Sequence, residues 1–234
     1  LTVVWNGQWF KWENRNTNFL YGQPDGGPTH DAPQNGYLNR SRVSLDYIPR
    51  DNNHPYRPAI IFRMAEAYLS YAEALNESSE RMSHKQEILD NLNKIRHRAG
   101  IAEYGTGTDE NGFTRIKINF SDQKEVRRLI HKERRVEFVG EGVRYHDLRR
   151  WKTAHYGIGN LNEQGENPDW GVNGPDYGMN YYGTEYTDQG DNAFFKRTKY
   201  MDRVYPRKFY WYPIHQSEID KDPTLVQGPF WLGE

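Results

Sequence analysis

Apolar side chains recur at three- and four-residue steps from Ile61 through Met64, Ala65, Tyr68, Leu69 and Ala72 to Leu75, with polar residues filling the gaps. That spacing places them on one stripe of a helix. Pro58 is expected to open this helix, because its missing N–H falls where the first turn leaves donors unpaired anyway. A second stripe, Ile88, Leu92, Ile95 and Ala99, predicts a helix that starts at Ser83, with Gln86 at capping-box spacing, and stops at Gly100 in the left-handed conformation. The short polar stretch between the two predicts an antiparallel hairpin. A third helix is expected from near Ser121, carrying Val126, Leu129, Ile130, Val136 and Phe138. A fourth should run from Val143 to Trp151 with Tyr145, Leu148 and Trp151 in register. Two hairpins in series suggest a helical-repeat architecture, with a period of about 60 residues rather than the 34 of a regular tetratricopeptide array.

The remaining segments lack this periodicity. Residues 1–57 alternate loosely at WNGQWFKW and then enter the turn-rich YGQPDGGPTHDAPQNG, where Pro and Gly break regular structure. RVSLDYI (42–48) reads as a short strand. Residues 101–120 are Gly-rich and irregular. From Tyr156 to Asn192 the chain is loop-like and studded with Trp170, Tyr177, Tyr181, Tyr182 and Tyr186. The expected fold is therefore mostly α: tetratricopeptide-like helical hairpins with long, irregular, aromatic-rich loops and few short strands. In domain terms, residues 1–57 form a loop-rich segment completing a binding face. Residues 58–234 form a helical region with a loop insertion at 156–200 and a proline-punctuated tail, 201–234, that wraps the body.

The densest charge lies at 133–151, ERRVEFVGEGVRYHDLRRW. Glu133 and Glu137 are four apart, so their Cβ atoms sit about 6 Å apart on one helix face, which overlaps the spacing of retaining-glycosidase carboxylates. Those carboxylates flank a bond from opposite sides, whereas these project in parallel from one rod. Neighbouring arginines would also lower the pKa that a general acid needs raised. Both glutamates fall on the stripe of Val126, Leu129 and Ile130, so they point inward and require countercharges. Beyond Gly140 and Gly142, the residues Glu141, Arg144, Asp147 and Arg150 follow at three-residue steps as an alternating ladder. The expectation is a structural ion-pair network in which Arg144, with Arg96 or Arg98 from the neighbouring hairpin, meets Glu133 or Glu137.

Composition removes most other chemistry. Lys and Arg total 31 against 32 Asp and Glu, so no net charge favours nucleic acid or an anionic surface. Cysteine is absent, which excludes disulfides, thiolate catalysis and Cys-based metal sites. No apolar run approaches the roughly 18 residues of a bilayer span, and nothing resembles a signal peptide. GxSxG, HExxH and GxxxxGK[ST] are all missing, which leaves serine-hydrolase, zincin and P-loop readings without their handles. TDENG (108–112) has acidic turn chemistry without calcium-loop spacing, favouring an ordinary turn over a casual calcium contact. No cofactor is expected. What stands out is aromatic content, with 7 Trp, 17 Tyr and 10 Phe in a hydrophilic chain, enough to furnish loop platforms as well as core.

Four blocks, RPAIIFRMAEAYLSYAEALNE (57–77), ILDNLNKIRHRAGI (88–101), IHKERRVEFVGEGVRYHDLRRW (130–151) and YPIHQSEIDKDPTLVQ (212–227), resemble in order the carboxy-terminal half of SusD/RagB-like proteins. The chain departs from that pattern at Gly228, where Asn is usual, and at His215, where Pro is usual. The resemblance implies a helical body with decorated loops and no catalysis. It also implies capture of oligosaccharides at the cell surface and delivery to a TonB-dependent SusC-like transporter in the outer membrane. Members carry a signal peptide and a lipidated amino-terminal Cys, so a chain without cysteine is expected to lack the amino-terminal half and its lipid anchor.

Sugars offer flat C–H faces that stack on Trp and Tyr rings, while Asn, Asp, Gln and Arg bond their hydroxyls. Trp5, Trp9, Trp12 and Tyr21, interleaved with Asn6, Gln8, Asn14 and Arg15, have that mixture, and Trp170, Tyr177, Tyr181 and Tyr182 form a second group. These eight are the candidate glycan contacts. Alternatives are a peptide or protein receptor on the same scaffold, since helical repeats bind peptides in concave grooves, and, behind it, a glycoside hydrolase.

Overall fold

The computed structural model describes residues 9–10, 15–30, 32–37, 56, 59–157 and 171–232. The chain divides into two compact units, one of residues 55–144 and the other of residues 1–54 with 145–234. Among the described residues the structure is mostly helical, with five α-helices and two small antiparallel ribbons.

The 55–144 unit is built on α1 (Met64–Glu77), α2 (Lys85–Ala99) and α3 (Gln123–Glu137), with α1 packed on both of the others. Leu69, Ala72, Ile88, Leu92, Val126 and Ile130 are fully buried between them, which is the inner stripe of each helix read from the sequence. Asp122 caps α3 by accepting the backbone N–H groups of Lys124 and Glu125 at 2.9 and 3.2 Å. Gly100 ends α2 at φ 67°, its N–H bonded back to the last turn. Asn76 and Gln123 exchange side-chain amide bonds to each other's carbonyl oxygens, tying the end of α1 to the start of α3.

Several boundaries differ from expectation. Pro58 lies outside the described residues, but 59–63 are irregular and α1 starts only at Met64. Arg63 is extended there, and its guanidinium is committed to carboxylates near the end of α3, so a tertiary contact overrides local helix preference. Ile61 and Met64 consequently leave the stripe and are 96% and 58% exposed. The capping box at Ser83 does not form. The Ser83 hydroxyl donates to the Glu80 carbonyl and the Gln86 amide to Asp90, and α2 begins after His84. Ala99 is exposed because the last turn of α2 runs past the core. Val136, six residues beyond Ile130, falls on the outer side of α3 and is also exposed.

In the other unit, β1 (Trp9–Phe10) pairs antiparallel with β2 (Arg15–Asn16). The strand expected at 42–48 lies outside the described residues. Helix α4 (Val143–Arg150) supplies Leu148, which packs with Ala154 and Tyr210 into a small core. Arg149 reaches out of α4 to the carbonyl oxygens of Phe209 and Tyr210, holding a 3-10 turn at Arg207–Tyr210. The region expected to be loop through Asn192 instead contains β3 (Gly174–Gly178), paired with β4 (Thr198–Arg203) across a bulge at Asp176/Tyr177. Asp176 pins this ribbon by accepting the Tyr200 hydroxyl at 2.7 Å and by meeting Arg203. In the tail, α5 (Gln216–Lys221) is capped by His215, whose ring accepts the Ser217 N–H, so this histidine has a local structural role.

Candidate functional site

The charged cluster is built from α3 and what faces it. Glu133, 6% exposed, accepts from the Arg96 guanidinium and, at 2.8 Å, from the Tyr104 hydroxyl. The guanidinium also lies 4.4 Å over the Tyr104 ring, and burial beside the Glu133 charge pushes the tyrosine hydroxyl well above its ordinary pKa. Glu137 is held between Arg63 and Arg98, and Arg63 forks onto Glu141 at 2.7 and 3.0 Å. Asp147 pairs with Arg150 one turn away at 3.0 Å, and Arg144 lies half-buried in the first turn of α4. Arg63 was not visible as a partner from sequence, because it lies 74 residues from Glu137.

The carboxylates of this cluster are bonded to guanidinium groups, Glu133 to Arg96, Glu137 to Arg63 and Arg98, Glu141 to Arg63 and Asp147 to Arg150, so each acid is held by a cation of the protein itself. Burial opposes ionisation of Glu137, but Arg63 and Arg98 outweigh it and hold the carboxyl below its ordinary value of 4.5. A depressed carboxylate contributes its stability in full above the unfolded-state pKa and loses it as pH falls through the lower folded value. Thermal unfolding followed from about pH 6 down to about pH 3 is therefore expected to fall more steeply for the parent than for Glu137→Gln.

The aromatic candidates divide. Trp5, Trp12 and Trp170 lie outside the described residues, and for Trp9 only the backbone, paired with Asn16, is described. Tyr21, Tyr181 and Tyr182 come together from segments 160 residues apart, with ring centroids 6.2, 5.3 and 5.2 Å from one another. Their segments are stitched by the Tyr21 N–H on the Gly183 carbonyl at 2.9 Å. The Tyr186 hydroxyl adds a clamp, accepting the Phe19 N–H and donating to Asn18. Tyr181 lies so close over Gly27 that a Cβ there would sit 2.4 Å from its ring. Tyr182 is 67% exposed. Tyr177 stands on β3 with its ring 3.8 Å under Arg197, and among the described residues it makes no ring contact with the other three.

Tyr181 and Tyr182 border a cleft of about 300 Å³ completed by Gln34, Met179, Thr198, Lys199 and Tyr200. The last three come from β4, an element that composition did not reveal. Their signal was faint: the half-buried alternation of Thr198 and Tyr200 along TKYMDR. Gly27→Ala is expected to displace the Tyr181 ring and weaken ligand binding several-fold without unfolding the chain, measured by calorimetric titration beside circular dichroism. The Gly27 backbone lies outside the left-handed region, so the effect must come from the ring contact.

The 55–144 unit is thus a helical-hairpin body whose charges pair among its own segments, and the tyrosine cleft is built within the other unit. The chain belongs to the SusD family, whose family model matches residues 2–231. Two SusD-like proteins of Formosa agariphila are each 32% identical to it. One match runs over 109 residues, 47% of this chain and 18% of the relative, and the other over 103 residues, 44% and 19%. The crystal structure of a SusD-like protein from Bacteroides fragilis matches with a TM-score of 0.63 at 24% identity, covering 98% of this chain and 38% of that one. The aligned parts thus span about a fifth of each curated relative.

Proposed function

We propose that this chain captures glycans without turning them over, at the outer surface of a cell, using the cleft lined by Tyr181 and Tyr182, against which Tyr21 packs. The observation that carries the reading is the convergence of three tyrosine rings beside a cleft also lined by Gln34, Thr198 and Tyr200, whose two hydroxyls donate to the Lys196 carbonyl and to Asp176 and keep lone pairs to accept. Ring faces suit the C–H faces of a pyranose, and the polar edge suits its hydroxyls. Family membership supports it, as does the commitment of Glu133 and Glu137 to arginines.

In this reading the chain is the carboxy-terminal part of a lipid-anchored outer-membrane protein that passes its ligand to a SusC-like TonB-dependent transporter. Among the described residues no helix is long and apolar enough to cross a membrane. The test is electrophoretic retardation in native gels cast with plant, host and microbial polysaccharides, followed by chromatography of the incubated glycan. Retardation with unchanged glycan supports capture. Shortened products support hydrolysis, and absence of retardation by every glycan, with binding to a peptide library, supports the peptide receptor.

A further inference from the structure

The outer face of α2 and the folded-back segment 103–120 enclose a groove of about 700 Å³ within the 55–144 unit, and it shares no lining residue with the tyrosine cleft. We propose that this groove is a second carbohydrate site, taking a short neutral oligosaccharide, a proposal that rests on the glycan-capture reading.

Its walls are fixed before any ligand arrives. The Asn93 amide donates to the Tyr104 carbonyl at 2.9 Å and accepts the Tyr104 N–H at 2.8 Å, clamping the returning segment to α2 as a strand would. Within the segment, the Gly105 N–H donates to the Ile116 carbonyl at 2.9 Å and the Ile116 N–H to the Glu103 carbonyl at 2.8 Å, folding it back on itself. The Asp109 carboxylate accepts the N–H groups of Glu103, Asn111 and Phe113, so TDENG closes the wall as a turn. A pre-ordered wall spares a ligand the cost of ordering it.

The groove's charge selects the ligand class. Asp90, Glu103 and Glu110 are matched in number by Lys94, Arg115 and Lys117, and the one lining histidine, His97, is turned to Glu103, so the lining has no excess of one sign to select an ionic ligand. Several of these charges are already engaged: Glu103 accepts from Arg115 at 2.9 Å, and the Lys94 ammonium sits 4.4 Å over the Tyr68 ring. A neutral polyol meets their remaining donors and acceptors without having to displace an ion pair. Partly buried Leu89, Ile118 and Phe120 supply an apolar floor for C–H faces. The volume lies within the range of about 300–1,000 Å³ usual for small-molecule sites and exceeds what one hexose fills.

The experiment is an NMR titration of the isotope-labelled chain, parent and Tyr182→Ala, with maltohexaose, cellohexaose, xylohexaose and mannohexaose, and with acidic hexagalacturonate. The signals followed are the Asn93 side-chain amide and the backbone amides of Thr106, Glu110 and Lys117. At least one neutral hexasaccharide is expected to shift them saturably in both proteins, while hexagalacturonate leaves them in place. The double variant Glu110→Ala/Lys117→Ala, altered at two exposed positions, is expected to weaken that response about tenfold with no change in thermal midpoint. The proposal is overturned if no neutral hexasaccharide moves the groove signals, if the acidic one moves them equally, or if the double variant responds like the parent. Groove shifts without any response at Tyr181 and Tyr182 in the parent would instead refute the tyrosine-cleft reading alone.

Discussion

Glu133→Ala is expected to lower the stability of the 55–144 unit by about 3–5 kcal/mol, the range for removing one partner of a buried ion pair. The size follows from what remains. Arg96 is 9% exposed and directs its guanidinium at Glu133, so the truncation leaves a buried cation without its carboxylate. The Tyr104 hydroxyl loses its acceptor in the same step. Glu133→Gln, which keeps an acceptor for Tyr104 but loses the charge, should cost less. Chemical denaturation measures both, and glycan affinity at temperatures where the variants remain folded should match the parent. A variant with parental stability and abolished binding would contradict the structural assignment of this acid.

If the tyrosine cleft captures glycan as proposed, Tyr182→Ala and Tyr181→Ala are each expected to weaken that binding by about tenfold or more, the effect of truncating a central aromatic anchor. Tyr182 is largely exposed, so its loss should leave the thermal midpoint nearly unchanged and isolate recognition from folding. Tyr181 also packs over Gly27 and should cost some stability as well. Tyr177→Ala is the contrast: its ring lies under Arg197 and apart from the trio, so a smaller effect on binding is expected. Isothermal titration of the three variants ranks them.

The helices were legible because their cores are local patterns. Leu69, Ala72, Ile88, Leu92, Val126 and Ile130 announce their stripes within each segment, and Gly100 announces a stop by its backbone freedom. The start of α1 was not legible, since it depends on Arg63 being held extended by acids at the end of α3. The β3–β4 ribbon was hidden for a different reason. GPDYG contains residues that weaken strands, and its stability comes from a partner 20 or more residues away and from Asp176 bridging to Tyr200 and Arg203. The ion pairing of the charged stretch could be inferred from inward-facing glutamates, yet the choice of Arg63 for Glu137 and Glu141 required the fold. Of the candidate site, tyrosine-rich composition drew attention to Tyr21, Tyr181 and Tyr182 among eight aromatics, but the convergence of these three and the share of β4 in the cleft depend on long-range pairing.

The most direct test is the affinity of the parent chain and of Tyr181→Ala/Tyr182→Ala across a panel of plant, host and microbial polysaccharides, measured by gel retardation and confirmed by calorimetric titration. The parent is expected to bind at least one polysaccharide without degrading it, and the double variant, still folded by circular dichroism, to lose that binding. Equal retention of parent and double variant, or cleavage of the bound glycan, would contradict capture by the tyrosine cleft.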